Sequence, residues 1–303
     1  MTTIGISDLR YPVSLRNIAD PPPLLYVDGE LEPVDAQAVA IVGSRRATPY
    51  GIRVARMLAG ELSRLGFTIV SGMARGIDRA AHEIALAAGG RTLAVLGCGL
   101  DVVYPPDHAQ LRAQIAEAGA VLTEFPLGSP PLAAHFPRRN RILSGLSLGV
   151  VVVEAAEGSG SLITAKLAAE QGREVFAVPG PIDAPTSRGT HGLLKLGAKL
   201  TETVDDILEE LLPQLEQPVM TTSLSPDTRC APSRGSAADA RRPLMDFSPE
   251  EQRVYAVVSE DPQSIDELTE QAALASSTVA CALLGLELKD AVRQTPGQRY
   301  HRS

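Results

Sequence analysis

Between residues 38 and 212, short unbroken apolar runs alternate with helix-length amphipathic segments, and this rhythm restricts the fold more than any other feature of the chain. The apolar runs cover 38–42, 68–71, 92–96, 120–124, 150–154, 175–178 and 199–201. Three are followed by glycine (Gly43, Gly72, Gly97) and one leads into Pro179-Gly180. Between them lie segments suited to helices at 49–65, 77–88, 107–118, 139–146, 161–171, 192–196 and 204–212. Continuously apolar strands are buried on both faces, and strands that alternate with helices pair in parallel. The rhythm therefore predicts a doubly wound, mostly parallel sheet with helices on both sides and right-handed crossovers.

The flanks read differently. Residues 1–35 contain Tyr11-Pro12, Pro21-Pro22-Pro23 and Pro33, which oppose long helices and suggest an extended lead-in. Residues 36–216 form the α/β domain. Residues 217–246 are rich in Ser, Thr, Pro, Ala and Asp, which reads as a flexible linker. In residues 247–303, Ser248-Pro249-Glu250-Glu251 is a helix start, Ser264 starts a second helix and 275–288 is a third. Two short strands around Pro296-Gly297 complete the pattern of a winged-helix module. The third helix offers Ser276, Ser277 and Thr278 but no Arg or Lys before Lys289. DNA reading, protein contact and packing all remain open for this module.

The chain has 303 residues, enough for one large and one small domain. No apolar run reaches about 18 residues, and no basic stretch followed by an apolar block opens the chain, so neither a membrane span nor a secretory signal is expected. Cys98, Cys230 and Cys281 are widely spaced, which fits a reducing cytoplasmic setting and gives no zinc spacing. No cofactor or metal is implied. The net charge of −8 argues against a nucleic-acid partner, but its distribution argues for one. Residues 36–60 hold four arginines and no carboxylate, and no acidic residue lies between Glu124 and Glu154.

Ligands of open parallel sheets bind at the carboxyl ends of the strands, and four segments there carry suitable chemistry. Gly43-Ser44-Arg45-Arg46 joins a tight turn to hydroxyl and guanidinium donors. Ser71–Ile77 brings Gly72, Arg75 and Gly76 to a helix start, with His82 one turn after Asp78 as a structural hydrogen-bonding residue. Phe136-Pro137-Arg138-Arg139-Asn140-Arg141 combines a stacking surface or buried aromatic with three phosphate-matching forks and an amide able to address a base edge. Gly158-Ser159-Gly160-Ser161, with Thr164 a turn later, lets a backbone approach a helix start.

These segments, together with Leu96–Asp101, Tyr104-Pro105 and Val178-Pro179-Gly180, resemble in order the motifs of the DNA-processing protein A (DprA, also Smf) family over about residues 11–198. The tail from Phe247 is more loosely similar to that family's winged-helix appendage. The resemblance implies an extended Rossmann-like domain that binds single-stranded DNA, forms a homodimer, protects incoming strands and loads a RecA-type recombinase during natural transformation, without enzymatic activity. It places the family's DNA pocket at Arg45 and at Arg138 or Arg139. Many members carry a small helical domain upstream, which a chain beginning so near Tyr11-Pro12 is not expected to contain. The alternative is a nucleoside-monophosphate phosphoribohydrolase of the lysine-decarboxylase-like group. Their catalytic glutamate position falls on Thr164 here, with Glu154 and Glu157 nearby as substitutes.

In 204–212, Val204, Ile207, Leu208, Leu211 and Leu212 share one side, opposite Asp205, Asp206, Glu209 and Glu210. Such a stripe packs on its own sheet or completes a two-fold dimer through Ile207, Leu208 and Leu211.

Overall fold

Every one of the seven apolar runs becomes a strand, and two further strands precede them. In the computed structural model, residues 1–216 are described, together with 249–259, 263–272, 279, 282–283, 286, 292–295 and 299–302. The chain divides into two units, Met1–Thr222 and Ser223–Ser303.

The first unit is a nine-stranded sheet. Its strands are β1 (Thr2–Gly5), β2 (Leu24–Gly29), β3 (Ala38–Val42), β4 (Thr68–Ser71), β5 (Thr92–Val95), β6 (Ala120–Thr123), β7 (Gly149–Val152), β8 (Glu174–Ala177) and β9 (Lys199–Leu200). Their order is β1-β2-β6-β5-β4-β3-β7-β8-β9. The seven strands from β6 to β9 in that order pair in parallel. The helices are α1 (Val13–Arg16), α2 (Pro49–Arg64), α3 (Ile77–Ala87), α4 (Ala109–Ala118), α5 (His135–Leu146), α6 (Gly160–Glu170), α7 (Arg188–Lys195) and α8 (Asp205–Glu216). This is the Rossmann-like architecture expected from the strand–helix rhythm.

Alternation along β3 shows how the layers form. Ala38, Ala40 and Val42 pack with Leu15 of α1, Ile142 and Leu146 of α5 and Ala165 of α6. Val39 and Ile41 pack on the other face with Leu58 of α2, Ile77 of α3 and Ile207 of α8. Each large aliphatic side chain so enclosed contributes about 1.5–3 kcal/mol. From β3 the chain runs outward through β4, β5 and β6 on one side, then returns to β7 and runs outward through β8 and β9. The loops after β3 and β7 therefore part from each other, which opens a crevice at the strands' carboxyl ends.

Several boundaries differ from expectation, among them that α7 starts at Arg188 and not at 192. Residues 1–35 are extended but not a free lead-in: β1 and β2 form an antiparallel pair, and β2 joins β6 with Tyr26 opposite Thr123. Tyr11 is buried and its hydroxyl donates to the Pro22 carbonyl at 2.7 Å, so the proline-rich segment is tied into the core. Helix α5 starts four residues earlier than expected because Pro137 falls in its first turn, where backbone N–H groups have no intrahelical partner. Helix α8 continues past Pro213 to Glu216, with Leu215 packed on the core.

The second unit holds α9 (Pro249–Val257), β10 (Gln263–Ser264), α10 (Ile265–Ala272), β11 (Val292–Thr295) and β12 (Arg299–Arg302). The strands form a sheet in the order β10-β12-β11. Ser264 and Glu267 exchange hydrogen bonds at the start of α10, the Ser264 N–H donating to the Glu267 carboxylate at 2.7 Å and the Glu267 N–H to the Ser264 hydroxyl at 3.3 Å. Of the expected third helix, residues 279, 282, 283 and 286 are described and helical, and all four are buried with Val254, Leu268 and Val292. The linker expected at 217–246 lies outside the described residues.

Candidate nucleic-acid interface

The loop after β3 is fastened to the loop after β7 by one carboxylate. Thr48 caps α2 by accepting the Gly51 N–H at 3.2 Å, and Pro49 follows as the first helical residue. The Thr48 N–H and hydroxyl donate in turn to the two oxygens of Glu154, at 2.9 and 2.5 Å. Glu154 is buried just beyond β7. The two sides of the crevice are thereby held together, and Ser44, Arg45 and Arg46 project at its mouth. The Arg45 guanidinium lies 5.1 Å from the centre of the Phe136 ring, which is half-buried on the first turn of α5. The Arg46 N–H donates to the Ser44 hydroxyl at 3.2 Å, and both arginine side chains are exposed.

This mouth opens into a groove of about 720 Å³ lined by Gly43, Ser44, Arg45, Arg46 and Phe136 on one side and by Ser159, Gly160, Ser161 and Thr164 on the other. No side chain caps the amino end of α6, so the Gly160 and Ser161 backbone meets the groove at the positive end of the helix, while the Leu162 N–H donates to the Ser159 carbonyl at 3.0 Å. The Ser159 and Ser161 hydroxyls are 2.8 Å apart. First and fourth segments thus meet across the topological switch point, although Ser44 and Ser159 are 115 positions apart in the chain.

The α5 arginines do not act together. Arg139 is only 4% exposed. Its guanidinium donates to the carbonyls of Gly72 (2.7 Å) and Val95, and its Nε to Asn140 at 3.2 Å. A Cβ at position 72 would sit 2.5 Å from that guanidinium, so Gly72 is required for Arg139 to pass beneath β4. Burial holds the Arg139 pKa down to about 10, although the Asp78 charge nearby works in the opposite direction. Asp78 accepts the N–H groups of Gly72 and Ala74, and its burial raises its pKa. Arg141 is also buried and makes a two-pronged ion pair with Glu124 at 2.6 and 2.8 Å. Its Nε reaches Asp20 at 3.0 Å. Arg138 is exposed, but pairs with the same Glu124 at 3.1 Å and lies over Phe125. Asn140 donates to the Gly160 carbonyl at 3.2 Å, linking α5 to α6.

The acid-free stretch between Glu124 and Glu154 therefore does not leave the arginines uncompensated. Glu124, the acidic residue bounding the empty stretch, folds back onto it, and Asp20 arrives from the N-terminal segment. Arg139, Asn140 and Arg141 hold α5 in place instead of presenting free donors. Arg75 is at the rim but pairs with Asp107 at 2.6 Å, an exposed pair that an incoming phosphate can compete for. His82 is fully buried against Thr92 at 2.7 Å, as a structural residue.

Catalytic features are accounted for as well. The position of a phosphoribohydrolase carboxylate is occupied by Thr164, buried with its hydroxyl directed to the Gly160 carbonyl. Glu154 is engaged by Thr48 as above, and Glu157 is exposed on the groove rim. Among the described residues no cluster of His, Cys, Asp or Glu is arranged to hold a metal, and no helix is long and apolar enough to cross a membrane. Of the residues expected at a dimer contact, Ile207 and Leu211 are wholly enclosed by this chain's own β-sheet and helices, because α8 spends its stripe on that face. Leu208 is partly buried there, and Leu212 is exposed. Glu124 and Asp20, which engage the α5 arginines, lay outside the sequence-based site. Glu124 had a sequence signal, as the acid bounding the arginine-rich stretch, and Asp20 had none.

Residues 2–212 match the family model described as DNA recombination-mediator protein A, and residues 236–298 match that of the DprA winged helix domain. The chain is 44% identical over 291 residues to Protein Smf of Escherichia coli strain K12, covering 95% of this chain and 74% of the relative. It is 40% identical over 312 residues to Protein Smf of a Synechocystis strain, covering 97% and 78%. Among solved structures, DNA processing protein A of Streptococcus pneumoniae superposes with a TM-score of 0.67 at 45% identity, covering 69% of this chain and 74% of that one. DNA processing protein A of Helicobacter pylori, whose structure was described for its single-stranded DNA binding mode, gives 0.63 at 33%, covering 70% and 96%.

Proposed function

Because the chain belongs to the DNA recombination-mediator protein A family, we propose that the groove at the switch point binds single-stranded DNA. The observation that carries this reading is the pairing of Arg45 with Phe136 at the mouth of a groove whose far wall is the uncapped start of α6. It offers a cation, an aromatic face and backbone N–H groups together, which are the three contacts a phosphate-linked strand uses. The H. pylori relative's single-strand binding supports the same reading. The contacts address phosphate and ring faces, so binding tolerates any sequence.

The contact set narrows to Gly43, Ser44, Arg45, Arg46, Phe136, Ser159, Gly160, Ser161 and Thr164, with Arg75 and Arg138 as outer cations released from their carboxylates. We extend the proposal to strand protection and to loading of a RecA-type recombinase in natural transformation, carried out as a homodimer in the cytoplasm. Family membership supports this extension. The action is binding without catalysis, which the commitment of Glu154 to Thr48 favours over nucleotide hydrolysis.

The test is binding of a labelled single strand by wild type and by Arg45→Ala, measured against salt. Each phosphate that the protein ceases to neutralise flattens the slope of log affinity against log salt by about 0.7. Arg45→Ala is expected to weaken binding about tenfold and to flatten the slope by about that amount. Nucleoside-monophosphate hydrolysis is assayed on the same preparation. Hydrolysis without strand binding would return the phosphoribohydrolase reading.

A further inference from the structure

The floor of the groove carries a buried carboxylate, although its mouth carries cations. Asp78, in the first turn of α3, and Arg139 of α5 both line the groove, at 5% and 4% exposure. The other acid of the lining, Glu157, is exposed on the rim. Gly72 lies between the two buried groups. Its N–H donates to Asp78 at 3.1 Å, and its carbonyl accepts from Arg139 at 2.7 Å. The Ala74 N–H donates to the same Asp78 oxygen at 3.2 Å.

Burial pushes the Asp78 pKa up, while Arg139, the two N–H groups and Arg45 pull it down. Arg45 acts on Arg139 as well, so the three charges lie within electrostatic reach of one another. A buried guanidinium facing a neutral acid would be an uncompensated charge, and the pair is more stable with both members ionised. The floor then has no net charge. Attraction for phosphate comes from Arg45 and Arg46 at the mouth and from the start of α6 on the far wall.

We propose that Asp78 sets how tightly the groove holds its strand: its carboxylate cancels Arg139 on the floor, keeps phosphates at the mouth and so keeps the bound strand exchangeable. The inference rests on the groove being the strand-binding site. The shape of the loop after β4 does not itself require an anion. Both N–H groups go to one oxygen, and the amide oxygen of an asparagine can accept two hydrogen bonds. What the ionised group adds is charge, which holds Arg139 and repels phosphate in surroundings where water screens little.

The experiment uses the full chain and a labelled single strand, with affinity measured against salt and dissociation followed by competition with unlabelled strand. Asp78→Asn keeps the loop's acceptor and removes the repulsion. It is expected to bind about tenfold tighter and to release the strand about tenfold more slowly. The slope of log affinity against log salt is expected to steepen by about 0.7, because the Arg139 charge is no longer cancelled and acts on one more phosphate. A carboxylate that only shapes the loop predicts the opposite sign, since loosening the floor weakens binding. Asp78→Asn also deprives a buried guanidinium of its counter-charge, so folding is read by urea unfolding on the same sample. If the variant melts early, it and wild type are compared in concentrated sucrose, which favours the folded chain without adding ions. Unchanged or weaker binding by folded Asp78→Asn overturns the assignment. Failure of wild type to bind the strand at all would instead overturn the groove itself.

Discussion

Arg45 and Arg139 border one groove and have opposite fates. The Arg45 guanidinium rests on a ring at the surface, while that of Arg139 is threaded under two strands. Removing Arg45 should leave folding stability within about 0.5 kcal/mol. Arg139→Ala leaves the Gly72 and Val95 carbonyls without their donor and removes the nearby charge that offsets buried Asp78, and should cost about 3–5 kcal/mol in urea unfolding. A loss of strand binding in Arg139→Ala accompanied by wild-type stability would show that the guanidinium contacts the ligand after all. His82 gives a pH prediction. The Thr92 hydroxyl donates to the Ile69 carbonyl, so His82 Nδ1 must be the donor to Thr92, and Nε2 is left buried without a partner. Burial lowers its pKa from 6.5 to about 3. The unfolded chain therefore takes up a proton below about pH 6.5 that the folded chain refuses until about pH 3, and stability falls as pH drops through that window. Between pH 7 and 4.5 this group alone should remove about 3 kcal/mol. His82→Asn should show a correspondingly shallower loss of melting temperature with acid; an unchanged slope would contradict the assignment.

Helix α5 is the element on which the site depends. Its first turn carries Phe136, and its middle is held by Arg141 on Glu124. Glu124→Gln keeps the shape but removes the charge facing a buried guanidinium and a second exposed one. A loss of about 3 kcal/mol in stability is expected, together with weaker strand binding as α5 loosens, read by urea unfolding and anisotropy on one sample. Helix α8 shows the reverse case. Leu211→Arg would bury a charge and unfold the chain, so it does not test dimerisation. Leu212 is 47% exposed and does. Leu212→Arg should give a folded monomer with weaker binding to long strands and unchanged binding to short ones, because avidity needs two grooves in one particle. Sedimentation of wild type as a monomer at tens of micromolar would remove the dimer.

At the scale of the whole molecule, every lining residue of the groove belongs to the first unit. Residues 1–216 alone are expected to keep most single-strand binding, and a folded 1–216 protein without it would assign the reading to the second unit. Residues 36–216 alone should fail, since removing β1, β2 and α1 strips Leu25, Val27 and Leu15 from the core and leaves the β6 edge unpaired. Soluble, cooperative unfolding of the 36–216 protein would show that the N-terminal segment is dispensable.

The strand–helix rhythm was legible because it is local. Seven apolar runs, their glycine stops and the start signals at Thr48-Pro49 and Ser264 depend on neighbours a few residues away, and they settled the fold class. The family motifs fall on loops that line the groove, which is why we propose it as the strand-binding site. What the linear order concealed was the partner of each charge. Glu124 reaches Arg141, Glu154 reaches Thr48, Asp20 reaches across 121 positions to Arg141, and the Pro-punctuated first 35 residues become sheet only because β6 offers them an edge. An arginine's availability depends on which carboxylates and carbonyls packing brings within hydrogen-bond range. Periodicity and motif describe the arginine's own neighbourhood, whereas burial and long-range pairing decide whether its charge is left for a ligand.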